Sequence, residues 1–280
     1  MKIFSGNEVL CINGTQTWAR YDYPGLITTH PTGTEDESIK GKFKVPANFH
    51  IGNIGLAPKY NSTVDSVPPL VTGGNMDNRR IGIGSTLFLP VEVAGAFLSA
   101  GDAHTAQGDS ELDGTGIETS INGKLKLTLH KKDDLPAVVQ DLKYPLIETS
   151  DNWVVQGYTF ADYLEELEDP MSTIYGESSI DKAMTVAYNN TRDWMMNTLN
   201  MTEDQAITAI TVAVDFAITQ VVDGNWGVHA SIPKTTFGLP TVGATTASAK
   251  ASGETAAVAS GANTHFAPAM LFGLSMLFLV

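Results

Sequence analysis

One cysteine, Cys11, is all that the chain carries, which rules out an intrachain disulfide and the cysteine-stapled class of small secreted scaffolds. It sits in the apolar run Glu8-Val9-Leu10-Cys11-Ile12 and reads as a small buried hydrophobe, since no histidine accompanies it as a thiol catalyst would require. Basic residues are scarce as well. Seventeen Lys and Arg stand against 31 Asp and Glu, a net charge of −14, which speaks against nucleic acid and anionic membrane surfaces as partners. Phosphate loops and dinucleotide fingerprints are missing, and Gly82-x-Gly84 alone signals only a turn. Without a Gly-x-Ser-x-Gly elbow, a serine-hydrolase mechanism loses its usual nucleophile. The amino terminus, Met1-Lys2-Ile3-Phe4-Ser5-Gly6-Asn7-Glu8, lacks the apolar core of about 7–15 residues that a signal peptide needs. What remains is a chain of 280 residues, 42% hydrophobic and 17% charged, rich enough in apolar residues to build a core.

The pattern along that chain reads as α+β and β-rich: sandwich-like sheets with a carboxyl-terminal αα-hairpin packed on them. Glu8–Ile12 and Thr15–Arg20 flank Asn13-Gly14, a hairpin signal. Glu118–Ile121 and Lys124–Leu129 flank Asn122-Gly123, a second one, with Leu125, Leu127 and Leu129 on one face. Thr86 to Val93 alternates, Leu87, Leu89, Val91 and Val93 pointing one way, and Trp153 to Phe160 is a further strand. The period then changes. Ser178 to Leu199 predicts a helix, and Thr202-x-x-Gln205 is a capping box that opens a second one, expected to reach about Val222.

The chemistry concentrates in Gly101-Asp102-Ala103-His104-Thr105-Ala106-Gln107-Gly108-Asp109-Ser110-Glu111. Asp102 and His104 are two apart, so a strand points both to one face; Asp109 and Glu111 repeat the spacing. Residue type and spacing leave two readings open, a polar hairpin loop or a site for a divalent metal and acid–base groups. Upstream stands Thr72-Gly73-Gly74-Asn75-Met76-Asp77, and Gly84 to Ala100 links the two with Leu89-Pro90-Val91 and Gly95-Ala96. Gly114-Thr115-Gly116-Ile117-Glu118 follows.

This ordered set resembles the acetamidase/formamidase family, from about Phe49 to Lys234. The resemblance implies an amidase acting on linear carbon–nitrogen bonds other than peptide bonds, taking formamide or acetamide to the carboxylate and ammonia. It implies a small amide as partner and a divalent metal as cofactor, zinc before manganese or iron. Asp77, Asp102 and His104 are the expected metal ligands, Glu111 the general base and later acid, and Asn75 and Gln107 the neutral groups that orient the substrate. Asp109 is a further candidate, as the group that fixes His104. Ser110 departs from the family, which usually has Gly there. The family's long amino-terminal portion, with a His-x-Trp element, has no counterpart here, so the region 1–238 reads as an amino-terminally incomplete domain. A catalytically inactive cell-surface protein that keeps the fold is the alternative, and a homo-oligomer is expected in either case.

Two further segments follow that domain. Residues 239–265 are an Ala/Thr/Ser/Gly-rich spacer, and 266–280 (FAPAMLFGLSMLFLV) are almost wholly apolar. Small residues such as Ala251-Ser252-Gly253, a polar spacer and a short apolar end fit a glycosylphosphatidylinositol-anchor signal, with a terminal core strand or a tail anchor as alternatives. Sequons at Asn13, Asn61, Asn189 and Asn200 agree with a glycoprotein on the cell surface, attached to the membrane by lipid. Without that signal the expected location is cytoplasmic.

Overall fold

The computed structural model describes residues 8–12, 16–20, 45–112, 114–240 and 271–279, with side chains from 46–112 and 114–240. The Cys11 side chain, Asn13, His30, His265 and the anchor triplet lie outside the described residues. Strands β1 (Glu8–Ile12) and β2 (Gln16–Arg20) pair antiparallel with Ile12 opposite Gln16, as the Asn-Gly signal between them predicts, and β3 (Val45–Pro46) adds to β2.

Two larger sheets make the body. The first is four-stranded, in the order β5-β4-β7-β8, from β4 (His50–Gly55), β5 (Gly73–Asn75), β7 (Ser99–Ala106) and β8 (Ile117–Glu118). The second is seven-stranded, in the order β12-β13-β11-β10-β6-β14-β9. Its members are β6 (Thr86–Pro90), β9 (Asn122–His130), β10 (Leu146–Glu148), β11 (Asn152–Tyr158), β12 (Asp215–Gln220), β13 (Gly227–Pro233) and β14 (Leu271–Leu279). The strand β14 runs parallel to both of its neighbours, β6 and β9.

Period-two alternation sorts the central strands onto two cores. Leu87 and Leu89 of β6, Ile147 of β10 and Val154 of β11 pack with Ile51 and Ile54 of β4 between the sheets. Their neighbours Phe88, Leu146, Trp153 and Val155 face the other way, toward the helices. A strand buried on both faces reads as continuously apolar, which is why Thr-Leu-Phe-Leu-Pro holds the middle of the sheet.

The helices are α1 (Tyr163–Glu166), α2 (Pro170–Glu177), α3 (Ile180–Leu199) and α4 (Glu203–Ala213). The last two form the expected αα-hairpin, and Met195, Ala206 and Ile210 close the second core. Gly157 lets α3 approach β11, because a Cβ there would collide with the Ala187 backbone. Thr202 and Gln205 make the predicted capping box, each side chain bonded to the other's backbone N–H, at 3.3 and 2.9 Å.

Two expectations are corrected. The second helix ends at Ala213 rather than near Val222, and Asp215–Gln220 becomes edge strand β12 on β13. Phe-Ala-Ile-Thr gains more from that sheet edge than from a further helical turn. Nor do the residues flanking Asn122-Gly123 form a hairpin. Strand β8 pairs with β7 in one sheet, while β9 starts at Asn122 and runs into the other. Ile121 and Leu125 pack on the inter-sheet core, and that burial outweighs the turn signal. Leu125, Leu127 and Leu129 do share a face, yet Leu127 and Leu129 stay 53% and 56% exposed. The terminal apolar stretch supplies β14, and among the described residues no helix is long and apolar enough to cross a membrane.

Candidate active site

His104 is the hub of the site. It sits on β7 directly opposite His50 of β4 and, across the other edge, opposite Glu118 of β8. Both imidazoles are buried. Their hydrogen-bond partners assign the protons on Nδ1. His50 donates from Nδ1 to Asn48 O at 2.7 Å. His104 donates from Nδ1 to Gln107 Oε1 at 2.7 Å, with His50 Nε2 also in reach at 3.1 Å. Gln107 in turn donates from Nε2 to Asp77 O at 2.7 Å. This leaves His104 Nε2 as the nitrogen turned to the carboxylates, with Asp102 Oδ1 3.1 Å away.

The carboxylates gather around this imidazole. Ligand atoms of Asp77, His104 and Glu111 lie within 4.8 Å of one another, and so do those of Asp102, His104 and Glu118. Asp77 Oδ1 is 3.8 Å from His104 Nδ1. Gly52 on β4 makes the convergence possible: a Cβ there would collide with Asp77 Oδ1 and Asp102 Oδ2. Its carbonyl also accepts from Met76 N and Asp77 N, both at 3.1 Å, which turns Asp77 inward. Asp77, Asp102 and Glu111 all sit at positive φ, 45°, 52° and 45°, a conformation that side chains other than glycine resist.

A cavity of about 230 Å³ opens onto this cluster. Asn53, Asn75, Asp77, Asp102, Glu111, Glu118 and Asp223 line it, with no basic residue among the lining groups. Crowded acids in poor solvent cannot all ionise. Burial, then Asp77, pushes the Glu111 carboxyl up to about 9. Burial, then Asp223, holds Asp77 well above its ordinary value, and burial with Glu111 and Asp102 lifts Asp223 to about 7. Burial works against a charge on His104, yet the hydrogen bond and charge of Asp102, with Asp77 behind it, raise it to about 9. Burial and its neighbour His104 drive His50 down to about 4, so it stays neutral. Asp77 Oδ1 and Glu111 Oε2 are buried with no hydrogen-bond partner. Unpaired carboxylate oxygens cost free energy when buried, and a cation between them removes that cost, so the donor set fits a divalent metal.

The residues picked from sequence fare differently. Asp77, Asp102, His104 and Glu111 are brought together, and Asn75 lines the same cavity. Gln107 reaches the site, but its Oε1 accepts from His104 and its Nε2 donates to Asp77 O, so its amide is already committed within the protein. Asp109 does not touch His104. It is clamped by Arg79, at 3.1 and 3.2 Å, and by Arg80, because its strand-like spacing from Glu111 is broken by the turn at Ser110. Among the other histidines, His229 bonds Thr219 Oγ1 at 2.8 Å and does not line the cavity. His50, Glu118 and Asp223 were missed. His50 lacks an acidic neighbour in sequence, and only the β4–β7 register sets it against His104. Asp223 follows β12 in the turn before β13, and nothing in its local sequence marks it.

Comparison with known proteins agrees with this constellation. The chain is 46% identical over 56 residues to an acetamidase of Mycolicibacterium smegmatis, a match covering 20% of this chain and 14% of that protein. It is 44% identical over 66 residues to a putative formamidase of Schizosaccharomyces pombe, covering 22% and 16%. The chain therefore matches only a fraction of these relatives' length. The fold is shared with the crystal structure of an acetamidase from Bacillus halodurans, at a TM-score of 0.52 and 23% identity, over 71% of this chain and 59% of that one. A predicted acetamidase/formamidase from Thermoanaerobacter tengcongensis gives 0.52 at 20% identity, over 85% and 71%. The model of the Acetamidase/Formamidase family matches residues 42–239, which takes in both larger sheets' site-bearing strands and the helical hairpin, and the chain belongs to that family.

Proposed function

We propose that the protein hydrolyses small neutral amides, with formamide and acetamide as the simplest substrates, to the carboxylate and ammonia, using a divalent metal, zinc first. The observation that supports this is the convergence of the Asp77, Asp102 and Glu111 carboxylates on one cavity, with His104 in ligand range of them and carboxylate oxygens of Asp77 and Glu111 buried and unpaired. Asp77, Asp102 and His104 Nε2 would hold the ion, a one-nitrogen, carboxylate-rich set that suits zinc or manganese. Bound there, the ion supplies carbonyl polarisation and a lowered pKa for water.

The chain's own residues do the rest. Gln107 keeps the His104 proton on Nδ1, so that Nε2 presents its lone pair. Asn75, beside Asp223 in the lining, orients the amide. Glu111 accepts a proton as the water oxygen bonds to the carbonyl carbon, then returns it to nitrogen as the carbon–nitrogen bond breaks. A carboxyl raised to about 9 by burial and Asp77 binds that proton readily, and a cation nearby would lower it again toward a working base.

Ammonia release from formamide and acetamide by the zinc-loaded protein tests this. Glu111→Gln is expected to lose about 10²–10⁴-fold in turnover while keeping its metal. Loss of metal instead would make Glu111 a ligand. No ammonia from either amide by the unmutated protein would refute the activity.

A further inference from the structure

A second hollow, of about 220 Å³, adjoins the acid cavity. Asn53 and Ser66 line both, and Asn53 Nδ2 donates to Ser66 O at 3.1 Å, so this pair forms the sill between them. The chemistry changes across the sill. On one side stand the five carboxylates of the acid cavity. On the other the walls are Leu56, Val64, Pro68, Leu70 and Phe97, with glycine backbone from β5. Asp65 is the one charged group there, and its carboxylate already caps Val67 N at 3.0 Å. Leu56 and Leu70 are buried and form the floor, whereas Phe97 stands 69% exposed at the rim. Phe97 is also the second of two successive non-glycine residues at positive φ, Ala96 at 56° and Phe97 at 49°. Neither burial nor backbone preference accounts for an aromatic ring held there.

We propose that this hollow takes the acyl substituent of the amide, and that preferred substrates carry a neutral apolar acyl group of about phenylacetyl size. The inference rests on the amide-hydrolase reading above. A liquid-like volume of about 30 Å³ per water-sized group gives room for roughly seven non-hydrogen atoms, the size of a benzyl group. With the amide carbon among the carboxylates, a benzyl substituent crosses the Asn53–Ser66 sill and meets carbon on the far side. A carboxylate on the acyl chain meets no basic residue in either hollow, and acids in both. Such substrates are disfavoured.

The test compares acetamide, phenylacetamide and succinamate with the zinc-loaded full chain, alongside ligand-observed NMR of phenylacetamide binding. The expected KM for phenylacetamide is at least about tenfold below that for acetamide, the scale of discrimination that added apolar groups bring. Ser99 is exposed on β7 and lines the hollow, so Ser99→Phe fills it without entering a core. That variant is expected to lose the phenylacetamide preference and its NMR signal. Acetamide turnover without a phenylacetamide preference overturns the inference and leaves the amidase reading standing. So does equal phenylacetamide binding by Ser99→Phe and the parent. Binding that Ser99→Phe abolishes, with no turnover of any amide, removes the amidase reading and with it the acyl-site role, leaving the hollow an apolar ligand pocket.

Discussion

Ser110 stands between Asp109, clamped by Arg79 and Arg80, and the site carboxyl Glu111, and its φ is 83°. Its backbone is committed on both sides, N–H to Thr219 O at 3.0 Å and carbonyl to Val221 N at 3.2 Å, so the strain cannot relax away. A non-glycine residue pays about 1–2 kcal/mol for such a conformation, and glycine returns part of that through a freer unfolded chain. Ser110→Gly is therefore expected to stabilise by about 0.5–1 kcal/mol, a rise of a few degrees in a thermal melt. An unchanged or lower melting point would mean that the Ser110 side chain compensates. Gln107 makes a second case. Its oxygen is the acceptor that fixes the His104 tautomer, so Gln107→Leu is expected to weaken zinc binding about 10–100-fold, read by competition with a chromophoric chelator. Full affinity in that variant would show that the Nδ1 proton needs no such anchor.

Among the elements, β14 carries the sharpest consequence. It is the only described strand that pairs with β9, and it also covers an edge of β6. Deleting 266–280 is expected to lower the melting temperature and broaden the transition, since β9 loses its ladder and β6 gains an open edge. A deletion that melts as the parent does would show that the pairing contributes nothing in solution. The same segment fits an anchor signal in sequence, and the two roles compete: anchor transfer upstream of it would cut the strand away. Intact mass of the mature protein distinguishes them. Among the helices the boundary lesson is simpler. Ile218 continues the helical spacing of Ile207, Ile210 and Val214, yet it pairs with Val228 in the sheet, because a four-residue apolar period and a short strand look alike over so few residues.

For the molecule as a whole, the acid cluster sets a pH dependence whose sign is fixed by the direction of each shift. Glu111, Asp223 and His104 bind protons more tightly in the folded chain than in the unfolded one, at about 9, 7 and 9. The stability they give is full below their ordinary values and lost as pH rises through the folded ones. His229, driven down to about 3 by burial and then Arg80, does the reverse: it costs stability as pH falls from 6.5 to about 3. Above pH 6.5 His229 no longer contributes and the raised groups remain, so metal-free protein is expected to melt progressively lower between pH 6.5 and 9. Zinc should flatten that decline, because ion binding favours the deprotonated ligands. A chelator-treated sample whose melting point rises over this window would contradict the cluster's electrostatics. Sequence alone determined the stretch Asp102 to Glu111, the Gly-Gly-Asn-x-Asp turn, the αα-hairpin with its capping box and the β-rich class, because each is written in local spacing and turn chemistry. Only the tertiary structure decided that His50 faces His104, that Asp223 and Glu118 join the carboxylates, that Asp109 leaves for Arg79 and Arg80, and that the Asn122-Gly123 turn is overridden. Those outcomes depend on which strands lie side by side, and strand neighbours distant in the chain are chosen by burial of both sheet faces rather than by any local residue pattern.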